Sequence, residues 1–209
     1  MQTSPAAHLA DSPLANWQVD LRSLSYLVSE VPDFELAKTL ANLLLSPPTL
    51  NIAMSNKEVI ESFYKAFARH DAEAMAALYH DDIKFSDPVF GTLKGEQAKN
   101  MWRMLIERGK QSLSIRYSNV QASDTNGTAN WTADYLFSST GNMVHNVISA
   151  SFEFKDGKII RHTDYFSFWK WSRQALGTTG LLLGWTPILK KKVSEQAKKG
   201  LEKYSKSRA

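Results

Sequence analysis

The stretch "FEFKDGKIIRHTDYFSFW", residues 152–169, carries the clearest architectural signal in the chain. Lys155-Asp156-Gly157 sits between two runs of alternating apolar and polar residues. An Asp-Gly pair in that setting is a strong hairpin signal, because glycine accepts the positive φ that a tight turn demands. The flanking runs, Met143–Phe154 and Lys158–Phe168, therefore read as paired strands. Alternate side chains on a strand point to opposite faces. Ile160, His162, Asp164 and Phe166 thus share one face, and Asn146, Ile148, Ala150 and Phe152 share one on the neighbour. Upstream, Ala129–Ser138 and Ser112–Gln121 have the same character, and Trp131, Ala133, Tyr135 and Phe137 share a face. Asp124–Gly127 and Ser139–Asn142 supply the intervening turns.

Before the strands the period changes. "MSNKEVIESFYKAF", residues 54–67, offers Ser55 or Asn56 as a helix cap and then Val59, Ile60, Phe63, Tyr64 and Phe67 at helical spacing. A second helix is predicted in "RHDAEAMAALYH" with Asp71 near its cap, then a short strand "IKFSD", then a helix in "GEQAKNMWRMLIERG" ending at Gly109. Helices first and an antiparallel meander afterwards imply an α+β fold, with three helices packed on one face of a curved sheet.

The chain has 209 residues, no cysteine, 43% apolar residues and a net charge of +4. This excludes a disulfide framework and thiolate chemistry and leaves ample material for a core. Absence of cysteine fits a reducing compartment, and a cytoplasmic location is expected. Neither a secretory leader nor a run of the roughly 20 apolar residues needed to span a bilayer is apparent. Charge is uneven: residues 190–209 carry eight basic and two acidic side chains, whereas residues 1–53 carry two and five. Three regions follow. Residues 1–53 read as an extension of low order with at most one short helix, at Glu35–Leu45; Met54 looks like a start; residues 54–170 form the core domain; residues 171–209 form a basic, helical extension. The basic tail is read as a solvated helix face. No aromatic-interleaved basic groove supports nucleic-acid binding. The apolar cluster Leu181–Trp185 has to pack on the body, cover a pocket, join a second copy or touch a membrane surface.

The concave face predicted for the strands holds a polar set, Asn146, His162, Asp164 and Tyr135, inside an aromatic wall. Buried polar groups are paired with one another or serve a ligand. His162 and Asp164, two apart on one strand face, are neighbours, and a carboxylate beside an imidazole fixes its tautomer and suits it to proton transfer. A purely structural pair is the alternative. His145 has the opposite parity and points away; His70 and His80 sit near helix ends, exposed to solvent. The five histidines show no metal-ligand spacing, and no metal or cofactor is expected.

Asp87, in "FSDPVFG" (residues 85–91), is explained as a turn residue by the proline that follows it. It also carries a resemblance. "VIESFYKAFARHDAEAMAALYHDDIKFSDPVFGTLKG" together with the hairpin resembles SnoaL-like and ketosteroid-isomerase-like members of the nuclear transport factor 2-like superfamily, over roughly residues 56–170. The resemblance implies a cone-shaped α+β fold around an apolar pocket, dimeric through the sheet. It also implies that Asp87 stands where the isomerases keep the base that moves a proton α to a carbonyl. Their two oxyanion donors fall on Phe63 and Ala150 here, so both are lost. Losing one such donor typically costs about 10²–10³ in rate, which argues against the steroid reaction itself. The last-strand positions of His162 and Asp164 face the pocket in the family, and acidic residues there act as acid or base in cyclase-like members.

Three readings follow. The first is a cofactor-independent isomerase, cyclase or hydratase acting on a carbonyl-containing lipid-, polyketide- or terpenoid-like compound, with Asp87, His162 and Asp164 as catalytic residues. The second is a non-catalytic binder of a small apolar ligand, and the third a protein-interaction module. Phe63, Phe67, Trp102, Trp131, Tyr135, Asn146, Ile148 and Phe166 are the expected ligand-binding residues. A homodimer through the sheet is the expected assembly, with peripheral membrane contact by the C-terminal extension a lesser alternative.

Overall fold

The computed structural model describes residues 54–208. The short helix expected at Glu35–Leu45, the low order of residues 1–53 and the role of Met54 as a start concern residues outside that range, apart from Met54 itself. Helix α1 (Asn56–Ala68) begins at Ser55, whose hydroxyl accepts from the Glu58 amide while the Glu58 carboxylate reaches back to the Ser55 amide. This reciprocal capping fixes the helix start. One face then buries Val59, Ile60, Phe63, Tyr64, Ala66 and Phe67, as the spacing predicts. Asp71 caps α2 (Ala72–Ala77) by accepting from the Ala74 amide at 2.9 Å.

Strand β1 (Tyr79–Asp87) turns at Pro88 into β2 (Gly91–Lys94), and α3 (Glu96–Gly109) follows. Strands β3 (Ser114–Ala122), β4 (Asn126–Phe137), β5 (Asn142–Lys155) and β6 (Lys158–Tyr165) form the meander. Three helices close the chain: α4 (Phe168–Ala175), α5 (Thr178–Leu183) and α6 (Pro187–Lys206). The curved, unclosed sheet has the order β2-β1-β6-β5-β4-β3. This is the α+β architecture the element order implies, with α1 lying across β3, β4 and β6 and α3 against β1 and β2.

Several features differ from the expectation. The sheet is not antiparallel throughout, because β6 returns beside β1 and runs parallel to it, pairing Phe85 with His162. Strand β2, four residues with only Leu93 buried, is too short for its alternation to be read. The last strand stops at Tyr165 because Ser167 caps α4, accepting from the Lys170 amide. A register shift between β5 and β6 sets Glu153 opposite Arg161 but Phe154 opposite Ile159. The extra residue, Ile160, breaks the alternation, so Ile159 and not Ile160 is fully buried.

The core is aromatic. Phe63 stacks on Tyr79 with ring centres 5.3 Å apart and meets Trp102 edge-on at 5.7 Å. Phe85 and Phe152 close around the imidazole of His162, at 5.3 and 4.4 Å. Each fully buried large side chain contributes roughly 1.5–3 kcal/mol by leaving water. A smaller cluster of Val144, Phe168, Trp171 and Ala175 fastens α4 to the sheet. Leu201, with Ala197 and Tyr204 beside it, joins α6 to the main core.

Candidate functional site

The curvature of the sheet leaves a cavity of about 480 Å³ between β1, β4, β5 and β6 on one side and α3 and α6 on the other. Its wall is mostly apolar, a setting in which a few polar groups fix a ligand's orientation. Asp87 enters from the end of β1 and Asp164 from β6. Phe67, Trp102, Trp131, Tyr135, Asn146, Ile148 and Phe166 line the cavity with them. Phe63 and His162 do not line it and correct the expectation. Both are wholly buried one layer behind, Phe63 because its ring packs on Tyr79 and Trp102, and His162 because both ring nitrogens are already engaged.

That second layer is a continuous chain of hydrogen bonds. The Trp102 indole donates to the Tyr79 hydroxyl at 2.8 Å. The hydroxyl is buried, so its own proton needs an acceptor, and His162 Nδ1 lies 2.7 Å away. The proton on the imidazole is therefore on Nε2, which donates to Asp164 Oδ1 at 3.0 Å. Trp131 donates to the same oxygen at 3.1 Å. Asp164 Oδ1 is thus held by two donors, and Oδ2 has no partner among the described residues. His162 orients Asp164; it does not itself reach the cavity. Burial also raises the Tyr79 hydroxyl well above its ordinary pKa, so it stays protonated.

Asp87 is held differently. Its Oδ1 accepts from the amides of Val89 and Phe90 in the turn that follows, at 2.9 and 2.5 Å. Asp87 therefore builds the turn with one oxygen and also lines the cavity. Burial raises the carboxyl to about 7, against the backbone bonds that favour its ionised form, and the Asp164 charge adds to the rise. A carboxyl that titrates near neutrality is suited to taking up and returning a proton.

Tyr135 is the third polar element. The Trp171 indole donates to its hydroxyl at 2.8 Å, which leaves the hydroxyl proton available to a ligand. Burial raises its pKa, and the Asp87 carboxylate adds to this, so the hydroxyl stays protonated. The Asn146 amide makes no side-chain hydrogen bond among the described residues. Sequence reasoning missed Tyr79, which enters the network only through the non-local pairing of β1 with β6, and Trp171, which lies beyond the last strand. It also missed the roof: Val193, Gln196, Ala197 and Gly200 of α6 line the cavity, with Arg108 of α3 packed beneath Gly200.

Residues 60–162 match a family described as the SnoaL-like domain. These residues form a SnoaL-like domain. No curated protein matches the chain. Among solved structures, an NTF2-like protein from Burkholderia thailandensis E264 is similar at 17% identity and a TM-score of 0.50, covering 59% of this chain and 98% of that one. A protein with a ketosteroid isomerase-like fold from Catenulispora acidiphila, in complex with trimethylamine, is similar at 13% identity and a TM-score of 0.50, covering 58% and 94%. An LEH-like epoxide hydrolase of M. tuberculosis is similar at 19% identity and a TM-score of 0.47, covering 60% and 90%. At these identities the likeness is one of fold. What the SnoaL-like domain does with its cavity rests on its own residues.

Proposed function

We propose that the SnoaL-like domain catalyses proton transfer α to the carbonyl of a small apolar compound, in an isomerase-, cyclase- or hydratase-type reaction. The observation that carries this reading is the pair of carboxylates in one apolar cavity, with Asp87 raised to about 7 by burial and by Asp164. A carboxyl raised toward neutrality in an apolar cavity is an arrangement suited to acid/base chemistry. Asp87 Oδ2 takes the proton from the α-carbon, and the C–H pair flows into the carbonyl to give an enolate. The Tyr135 hydroxyl, positioned by Trp171, donates a hydrogen bond to the developing oxyanion. Asp87 then returns the proton to carbon. Asp164, tethered by Trp131 and His162, is a fixed charge that keeps the base within range. This reassigns the Asp164–His162 pair from proton donor to tuning group.

The second reading, binding without chemistry, is favoured by Phe63 and Ala150, which put no donor where the isomerases hold theirs. One experiment separates the two. A panel of apolar ketones and enones is incubated with the full chain in D₂O, and α-deuteration is followed by NMR. Exchange should be accelerated for the panel members that bind, fall by about 10²–10⁴ with Asp87→Asn, and fall by about 10–10² with Tyr135→Phe, about one donor's worth or less. Binding without accelerated exchange would support the second reading, as would exchange indifferent to Asp87→Asn.

A further inference from the structure

The strongest feature outside the cavity is the turn from α5 into α6. Leu181, Leu182, Leu183, Trp185 and Ile188 are 49%, 68%, 48%, 74% and 81% exposed. Large apolar side chains concentrated in eight consecutive positions are not the scattered exposure normal for a protein surface. Several polar groups of this turn are satisfied internally. The Gly184 amide donates to the Gly180 carbonyl and the Thr186 amide to Leu183, while the Trp185 indole donates to the Leu182 carbonyl at 3.0 Å. The apex therefore presents hydrocarbon outward with part of its hydrogen-bonding capacity already used, and an interfacial depth leaves its remaining amides to water and head groups. Directly behind it on α6 come Lys190, Lys191 and Lys192, all exposed and none with an acidic partner among the described residues. Lys170 and Arg173 stand on α4, the Arg173 guanidinium 5.3 Å over the Trp169 ring.

We infer that this apex docks the domain on the surface of an anionic lipid bilayer, with Leu182, Trp185 and Ile188 entering the interface and Lys190–Lys192 meeting the head groups. Apolar insertion beside a lysine cluster is the combination that binds such surfaces, and each basic residue near them adds attraction. Among the described residues no helix is long and apolar enough to cross a membrane, so the contact is peripheral. Charge decides against a second copy as occupant. A two-fold contact centred on this apex would gather the lysine clusters of both copies around one interface. Helix α6 runs from the apex to the cavity roof through Val193, Ala197 and Gly200, so the docked surface and the roof share one rigid element. The docking does not depend on the chemistry proposed for the cavity.

The test is co-sedimentation of the full chain with vesicles of phosphatidylcholine alone and of phosphatidylcholine with phosphatidylserine. Binding should require phosphatidylserine and weaken with added salt. Replacing Lys190, Lys191 and Lys192 together by Gln should weaken it by about 100-fold, and Leu182→Glu with Trp185→Glu by at least about 10-fold. These side chains are exposed, so unchanged thermal melts would exclude loss of fold as the cause. Failure to bind phosphatidylserine vesicles would overturn the inference, and so would binding that ignores the lysine replacements. A dimer, seen by sedimentation equilibrium, that Trp185→Glu dissolves would assign the patch to a second copy and overturn it as well.

Discussion

Replacing Asp87 by asparagine should stabilise the protein, and by an amount that grows with pH. The carboxyl ordinarily titrates at 3.8 and here at about 7. Between those values the folded chain keeps a proton that the unfolded chain has lost. Stability therefore falls as pH rises through this window, by about 1.4 kcal/mol per unit, and levels off above the folded value. From pH 5 to pH 8.5 the wild type should lose about 2–3 kcal/mol through Asp87 alone, taking the full shift. Asparagine keeps the Oδ1 that accepts from Val89 and Phe90 and carries no charge, so it escapes this loss. Urea denaturation followed by tryptophan fluorescence, run on both proteins at the two pH values, isolates the effect, because titrations not coupled to Asp87 cancel in the difference. The variant's advantage should grow by about 2–3 kcal/mol between pH 5 and pH 8.5. A difference that does not change with pH would refute the claim that burial holds this carboxyl near neutrality, and with it the case for Asp87 as the base.

Two further outcomes follow from the packing. His162→Ala should cost about 3–5 kcal/mol, since it opens a hole in the aromatic core, leaves the Tyr79 hydroxyl proton without its acceptor and removes one of the two donors to Asp164; calorimetry should show a melting temperature lower by about 10 °C. Gly180→Ala should also destabilise, because the added Cβ would sit 1.8 Å from the Ser172 carbonyl oxygen. That neighbour is backbone and cannot step aside, so α5 must lift from α4, and a drop of about 5 °C is expected in the same assay.

Elements with strong local periodicity can be read from the residues alone. Helix α1 was legible from Ser55 and its apolar spacing, and the β5–β6 hairpin from Lys155-Asp156-Gly157, because capping and tight turns are settled within a few residues. Strand alternation likewise put Tyr135, Asn146 and Asp164 on the faces that line the cavity. It failed at Ile160, where one inserted residue reversed the parity, and at His162, where correct parity did not reveal which layer the ring occupies. Those depths follow from long-range packing. The parallel return of β6 beside β1 brings His162 to Tyr79, 83 positions away in the chain. The docking of α6 on α3 roofs the cavity with residues whose sequence looks merely basic. Neither is encoded in a local pattern, since both arise from which surfaces meet when the whole core closes. The same is true of Asp87: its turn was written in the proline beside it, but its proton affinity comes from burial and from the charge of Asp164 on a strand that pairs with its own only in the folded chain.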